Sequence, residues 1–377
     1  MNLMTFEAKK FFRSRKNIAM FIASLFIVTG NYILITIYDN TEVEKNFYSV
    51  NAGELSNSIS ELESVAKNQP EAKKALEITK KEYEIVNHQV LAIEQKDWKT
   101  FLNEQVEYDK LQLQGMQQGT VPLEEQQIRD IHKNIALNSY LAAHDLKPEI
   151  AGVNKMGFNY TYHLLKLLMP FIGTLFVIIL AIDVLNSEKI NKSRDFINTL
   201  PFSKTRILHA KMATYIIYVS ILLLFVVILA FVVGSIFSGA GSWNYPIAYQ
   251  GISPEEVTIV SVSIYIMKYL ALMLILIIFL IFLMTFISLF IQNDFIVLIV
   301  GLVVVLLPYS LSVYSSLVSG NMALFPVFYF NFTDILSGKA LLANANLTFK
   351  NAILCLSLYS LLLYMLIFGT VRFKQRI

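Results

Sequence analysis

Residues 257–291 carry a single charged side chain, Lys268, and this long apolar run constrains the fold more than any other feature of the sequence. A helix crosses the hydrocarbon core of a bilayer with about 20 largely apolar residues. The composition agrees, because 55% of the residues are hydrophobic and 16% are charged, whereas soluble domains are about 25% charged. The sequence therefore predicts an all-α protein that spans a membrane several times.

Six runs of this kind are predicted to span the membrane, and their bounds follow from the ends of the apolar stretches. The predicted spans are 17–38, 163–185, 214–237, 257–291, 295–318 and 351–373. Only residues 292–294 separate the fourth and fifth spans, which predicts a tight helical hairpin with Asp294 as the cap of the fifth helix. The first run is too long for the apolar core of a signal peptide, so we interpret it as an uncleaved anchor.

Lysine and arginine cluster in three places that six spans bring to one side of the membrane. They are Lys9, Lys10, Arg13, Arg15 and Lys16 at the N-terminus, Lys189, Lys192, Arg194, Lys204, Arg206 and Lys211 in 186–213, and Arg372, Lys374 and Arg376 near the tail 374–377. The positive-inside rule assigns this side to the cytoplasm. We therefore expect both termini to be cytoplasmic, and the segments 39–162, 238–256 and 319–350 to lie outside.

The outer segment 39–162 is acidic, with about 20 carboxylates against about 13 basic residues, the opposite of the cytoplasmic bias. Asn68 and Pro70 resemble a helix start, and the apolar residues that follow fall near a heptad spacing. Gly115, Gly119 and Pro122 break the pattern before a second predicted helix, from about Leu123 to His144. The sequence predicts an antiparallel, coiled-coil-like helical hairpin. It is either a substrate gate or docking surface, or a solvated spacer.

The cytoplasmic segment 186–213 contains a short amphipathic helix that is too charged to span the membrane. Ile190, Phe196, Ile197 and Leu200 fall on one helical face. Pro201 is predicted to end this helix at the preceding residue. Ser203 is then a natural cap for the next helix.

The arrangement Glu188, then Leu200-Pro201-Phe202-Ser203-Lys204 and Lys211, resembles the permeases of ABC-2 type ATP-binding-cassette exporters, in a form with an extracellular domain between the first and second spans. The N-terminal segment 1–16, where aromatic residues alternate with lysine and arginine, is similar to the amphipathic elbow helix of that family. The resemblance covers the six-span plan and these two segments.

This resemblance implies that 186–213 holds the coupling helix, which docks on a cytoplasmic ATPase. The residues implied in coupling are Glu188, Ile190, Arg194, Phe196, Ile197, Leu200 and Pro201. It also implies cytoplasmic ABC ATPase subunits as partners, with ATP and Mg²⁺ bound by those subunits, and a second permease chain, identical or related. A merely interfacial loop helix with positive-inside charges is the plainer alternative.

The sequence contains no Gly-x-x-x-x-Gly-Lys-Ser/Thr loop, so this chain does not bind ATP in that way. The sequence contains no recognisable catalytic arrangement of Ser, His, Asp or Cys. The scattered histidines and the single Cys355 show no zinc-site spacing. We therefore expect no enzyme activity, no metal and no cofactor in this chain. The chain has no charge pattern that indicates nucleic-acid binding, since its net charge is +3.

Candidates for a pathway or gate are Lys268, in the fourth span, and Phe325, Phe328 and Phe330, in the last outer loop. Ionisable side chains within a span are costly and often functional, although Lys268 is near enough to the end to snorkel. The aromatic run is either an interfacial belt or a lid over the exit. Asp183, at the inner end of the second span, is interpreted as a partner for nearby lysines.

Two functions remain open. The first is a permease that moves an amphipathic or hydrophobic substrate outward, such as a peptide, a lipid or a drug, because the predicted path is apolar and aromatic. The second is a non-transporting membrane scaffold or receptor whose outer domain binds a partner. A channel is weaker, since no filter-like loop or ring-forming charge pattern is present.

Overall fold

The computed structural model describes residues 3–38, 41–67, 69–119, 122–148, 155–167, 169–185, 201–291, 293–312 and 321–376. The helices are α1 (Leu3–Arg13), α2 (Arg15–Tyr38), α3 (Thr41–Val65), α4 (Pro70–Gln95), α5 (Trp98–Gln117), α6 (Glu125–Ala143), α7 (Gly157–Leu167), α8 (Thr174–Ala181), α9 (Lys204–Ser238), α10 (Val262–Phe290), α11 (Asp294–Ser312), α12 (Phe332–Ser337) and α13 (Phe349–Arg376). Two strands, β1 (Pro246–Gln250) and β2 (Val257–Ser261), complete the regular structure. The chain is mostly helical, as predicted.

The chain divides into two compact units. The membrane unit contains Met1–Asn31, Tyr160–Ala240 and Tyr265–Ile377. The insertion domain contains Tyr32–Asn159 and Gly241–Ile264. The insertion domain is therefore built from two separate stretches of the chain.

Among the described residues, four helices are long and apolar enough to span a membrane, and they lie in α2, α9, α10 and α13. The number rises to five if the bent pair Gly157–Leu167 and Phe171–Leu185 is counted as one span. A π-helical turn at Met169–Gly173, which contains Pro170, separates α7 from α8. Proline has no N–H group and π-turns disrupt the helical ladder, so both features explain the break. The predicted fifth span, 295–318, overlaps α11 and continues into residues outside the described ranges.

Two helix starts differ from the sequence prediction. Residues 257–261, which we assigned to the fourth span, form strand β2, and α10 begins only at Val262. The cap of α11 is also one residue earlier than expected, because the Asn293 side chain accepts a hydrogen bond from the Phe295 N–H over 2.9 Å. Asp294 is instead the first helical residue, where its negative charge suits the helix dipole.

The helix α11 packs closely on its neighbours at Gly301. A Cβ atom at this position would lie 2.9 Å from Ile178 of α8 and 3.1 Å from Met284 of α10. Glycine is therefore required here so that three apolar helices can approach one another.

The described part of the insertion domain contains helices α3 to α6 and a hairpin, where we predicted two helices. The predicted long helix after Pro70 is divided at Lys96, which adopts a left-handed conformation with φ of 58°. The Asp97 side chain then caps α5 by accepting a hydrogen bond from the Thr100 N–H over 3.1 Å. Pro70 is at the start of α4, as expected, and α6 agrees with the second predicted helix. Asn68 lies outside the described residues.

Strands β1 and β2 form an antiparallel hairpin that packs on α6. Its register runs from the pair Pro246 and Ser261 to the pair Gln250 and Val257. The Arg129 guanidinium, 6% exposed, attaches the hairpin to α6. Its Nη2 atom donates to the Ile252 carbonyl over 2.8 Å and to Glu125 Oε1 over 2.7 Å.

A polar seam, buried at Glu82, Gln89 and Asp109 and partly buried at Gln105 and Gln112, lies between α4 and α5. Gln89 Nε2 donates to Gln105 Oε1 over 2.8 Å, and Gln105 Nε2 donates to Asp109 Oδ1 over 3.1 Å. Gln112 Nε2 donates to Glu82 Oε1 over 2.6 Å. Burial raises the pKa of Asp109 to about 6 and also raises the pKa of Glu82.

Candidate coupling site

Three helices of the membrane unit, α9, α10 and α13, meet Leu185 in one cluster at the predicted cytoplasmic end. Leu208 and Met212 of α9 form a buried cluster with Ile367 of α13. Leu185, which follows α8, and Leu289 of α10 pack against this cluster. The two ends that border residues 186–200, Leu185 and the start of α9, therefore share one hydrophobic core.

The predicted coupling residues Glu188, Ile190, Arg194, Phe196, Ile197 and Leu200 lie outside the described residues. Pro201 is described, and it is exposed. Ser203 caps α9, as the sequence indicated, because its hydroxyl accepts a hydrogen bond from the Arg206 N–H over 3.3 Å. The Arg206 guanidinium lies 5.1 Å from the Phe202 ring centroid. The described residues that directly follow the predicted coupling helix therefore lead into the capped start of α9.

The N-terminal helix α1 is amphipathic, as predicted for an elbow helix. Its buried residues Leu3, Glu7 and Phe11 follow a spacing of four and therefore share one face. The Phe11 ring lies 5.3 Å from the ring of Tyr215 in α9. This face packs α1 against α9.

A side-chain ion pair joins the start of α2 to the end of the second predicted span. Lys16 Nζ lies 2.7 Å from Asp183 Oδ2 and donates to the Ile179 carbonyl over 2.7 Å. Asp183 pairs with a lysine, as predicted, but this lysine is not one of those near it in the sequence. Sequence alone did not identify Lys16, because the two residues are far apart in the chain.

His209 forms a second polar contact near this end that the sequence analysis missed. Its Nδ1 atom donates to the Thr205 carbonyl over 2.8 Å, and its Nε2 atom lies 2.9 Å from the Tyr364 hydroxyl of α13. The imidazole stacks on Phe368 at 4.1 Å. A histidine six residues after the cap of α9 was the only signal in the sequence, and it did not indicate a partner.

Lys268 lies on the second turn of α10, where it is exposed. Its ammonium lies 5.6 Å from the centroid of Phe349, the first residue of α13. A cation over an aromatic face is attracted by the ring quadrupole. The structure therefore places Lys268 beside the start of α13, at the same end of the unit as the aromatic loop.

The three predicted gate residues in the aromatic segment before α13 differ in how deeply they are buried. Phe325 is exposed (47%), Phe328 is partly buried, and Phe330 is buried (3%). The Phe330 ring lies 5.9 Å from the ring of Phe279. Phe279 is about 25 Å from the start of α10, at 1.5 Å per residue. The loop thus reaches in between helices instead of lying along a surface.

Two further aromatic contacts hold this loop. The Tyr329 hydroxyl donates to the Ala323 carbonyl over 2.9 Å, and the Phe332 ring lies 5.3 Å from Tyr269 of α10. Tyr329 is fully buried. The loop is therefore folded on itself and packed on α10.

A narrow apolar cleft lies between α2, the bent pair α7–α8 and α9. Val28, Leu164, Phe176 and Leu223 are among the residues that line it. Within the described ranges, no three His, Cys, Asp or Glu side chains form a group that can hold a metal ion. The chemistry available in this unit is therefore apolar contact and a few paired charges.

These features were compared with known proteins. No curated protein and no solved structure matches the chain. A family model described as "ABC-2 family transporter protein" matches residues 1–376. Because this match covers essentially the whole chain, and because the structure carries long apolar helices with an amphipathic N-terminal helix, the chain belongs to the ABC-2 transporter family, as a multi-pass membrane component.

Proposed function

We propose that this chain is the permease subunit of an ATP-binding-cassette exporter, driven by a separate ATPase. The family match over residues 1–376 is the observation that carries this proposal. Membership in the family implies a partnership with an ABC ATPase, and a permease of this kind is not itself catalytic. The chain has no P-loop, so nucleotide and Mg²⁺ belong to the partner.

In this proposal, residues 186–200 form the coupling helix that docks on the ATPase. The shared core of α9, α10 and α13 supports it, because this core also holds Leu185, the residue that directly precedes the segment. Packed helices move as bodies, so a push on a short segment between α8 and α9 reaches several spans at once. The basic clusters support a cytoplasmic location for this end and an extracellular location for the insertion domain.

The proposed substrate is amphipathic or hydrophobic, such as a peptide, a lipid or a drug, and it moves outward. The apolar cleft beside α2 and the aromatic loop at Phe325, Phe328 and Phe330 support an apolar path. A second permease chain, identical or related, completes the path. In this arrangement the loop around Phe330 acts as a lid on the exit, since it is packed between helices.

The test isolates the tagged full chain from its native membranes in mild detergent. We expect a P-loop ATPase to co-isolate, identified by mass spectrometry, with vanadate-sensitive ATP hydrolysis. Changing Phe196→Asp or Leu200→Asp places a carboxylate on the apolar face of the predicted coupling helix, and we expect at least about a tenfold loss of co-isolated ATPase, since buried charge at an interface costs several kcal/mol.

Asn198→Asp is the matched control, because it adds the same charge on the polar face of the predicted helix. It should leave the co-isolated ATPase unchanged. If no ATPase accompanies the wild-type chain, or if all three variants behave alike, the alternative function as a scaffold or receptor is favoured.

A further inference from the structure

The corner between α1 and α2 contacts both helices that border residues 186–200. Lys16 binds the end of α8, and Phe11 and Phe12 pack on α9. We propose that this corner is a clamp that positions the coupling segment, with Lys16 as its positioning residue. The inference rests on the proposed function, because holding both ends of this segment serves a permease that is driven from its cytoplasmic side.

The first half of the clamp is the oxygen cage around the Lys16 ammonium. Nζ lies 2.7 Å from Asp183 Oδ2, and it donates to the carbonyls of Ile179 over 2.7 Å and Leu180 over 3.4 Å. The helical segment that contains α8 continues to Leu185, so these two carbonyls and the Asp183 carboxylate belong to one continuous stretch of helix. A lysine that holds three oxygens of this stretch fixes it relative to α2 through both its backbone and its side chain.

The ion pair between Lys16 and Asp183 joins the start of α2 to the residues that follow α8. Both members of the Lys16–Asp183 pair are largely buried, with 28% and 19% of their side chains exposed, so water screens the pair less than a surface ion pair.

The second half of the clamp is aromatic. The Phe11 ring lies 5.3 Å from Tyr215 and stacks on Tyr218 at 5.7 Å, and the Phe12 ring lies 4.9 Å from Tyr218. Edge-to-face and offset aromatic pairs at these separations are favourable beyond their burial. These contacts hold α1 on the part of α9 that follows the coupling segment.

The two halves are joined by a buried hydrogen bond across the corner. The Asn17 side-chain amide, only 5% exposed, donates to the Phe11 carbonyl over 2.9 Å. Because Phe11 belongs to α1 and Asn17 to α2, this bond fixes the angle of the turn at Ser14. The Lys16 contacts with α8 and the Phe11 and Phe12 contacts with α9 therefore belong to one rigid element, the corner between α1 and α2. In the proposal, force on residues 186–200 reaches α2 together with α8 and α9.

The test uses the full chain in nanodiscs, with and without the co-isolated ATPase. In Lys16→Met and in Asp183→Asn, we expect backbone hydrogen exchange at residues 176–185 to rise about tenfold, because local opening becomes easier. We also expect the ATPase to remain bound while its stimulation by the permease falls severalfold. Lys16→Arg keeps the charge and should retain most of the stimulation.

Lys9→Met is the matched control, because Lys9 is an exposed cation on α1. The double variant Lys16→Met with Asp183→Asn should be no worse than the worse single variant, since each change removes the same contact. The proposal of a clamp is overturned if Lys16→Met and Lys9→Met show the same hydrogen exchange at residues 176–185 and the same stimulation of the ATPase. If the wild-type chain binds no ATPase, the proposed function fails, and the exchange measurement alone decides whether Lys16 holds α8.

Discussion

Replacing Arg129 by methionine detaches the β1–β2 hairpin from α6. The change removes the bonds from Nη2 to the Ile252 carbonyl and to Glu125, and it leaves the Ile252 carbonyl without this donor. A hydrogen bond made by a charged group contributes about 1.5–3 kcal/mol to stability. We therefore expect the hairpin amides at residues 246–261 to exchange about a hundredfold faster in the full chain, as measured by mass spectrometry.

Two variants sharpen this result. Arg129→Lys keeps the charge but lacks the planar guanidinium that reaches both acceptors. The hairpin amides of this variant should therefore exchange at a rate between those of the wild type and Arg129→Met. Lys133→Met removes a cation one turn further along α6 and should leave the hairpin unchanged. Equal protection in Arg129→Met and the wild type would show that strand packing on α6 holds the hairpin without the guanidinium.

Replacing Asp109 by asparagine stabilises the insertion domain above about pH 6. The pKa of Asp109 is raised by burial from 3.8 to about 6, so the folded domain binds its proton more tightly than the unfolded chain. The stability contributed by this proton is complete below about pH 4 and is lost as the pH rises through about 6. At 1.36 kcal/mol per pKa unit, the loss is about 2–3 kcal/mol.

The Asp109→Asn variant lacks this loss, so it should exceed the wild type by about 2–3 kcal/mol at pH 7.5 and by little at pH 4. Both tryptophans of the chain, Trp98 and Trp243, lie in the insertion domain. Urea titration of the full chain in nanodiscs, followed by tryptophan fluorescence, therefore reports on this domain alone. Glu107→Gln removes an exposed carboxylate from the same helix and serves as the control. A wild-type stability that does not change between pH 4 and pH 7.5 would contradict this account of Asp109.

Features set by local chemistry were predictable from the sequence. The apolar runs identified α2, α9, α10 and α13 because a span needs only length and low charge. The Ser203 cap and the limits of α6 depend on a few neighbouring residues, and both agree with the prediction. The six-span count remains a prediction, since four spans are found among the described residues.

Features set by distant contacts were not predictable. Strand β2 has an apolar sequence that continues directly into α10, so only its pairing with β1 distinguishes it from a helix. Lys16, the partner of Asp183, is far from it in the sequence. A single sequence carries no signal that connects the two residues. In the same way, the burial of Phe330 against Phe279 follows from packing, whereas the sequence alone favoured an interfacial belt over a lid.

The most direct test of the account asks on which side of the membrane residues 186–200 lie. Intact cells that carry the Asn198→Cys or the Lys133→Cys variant are treated with a membrane-impermeant maleimide, with the wild-type chain and its buried Cys355 as the control. We predict that Lys133→Cys is labelled at once and that Asn198→Cys is labelled only after the cells are permeabilised. Labelling of Asn198→Cys in intact cells would contradict the account, because a segment outside the cell cannot be driven by a cytoplasmic ATPase.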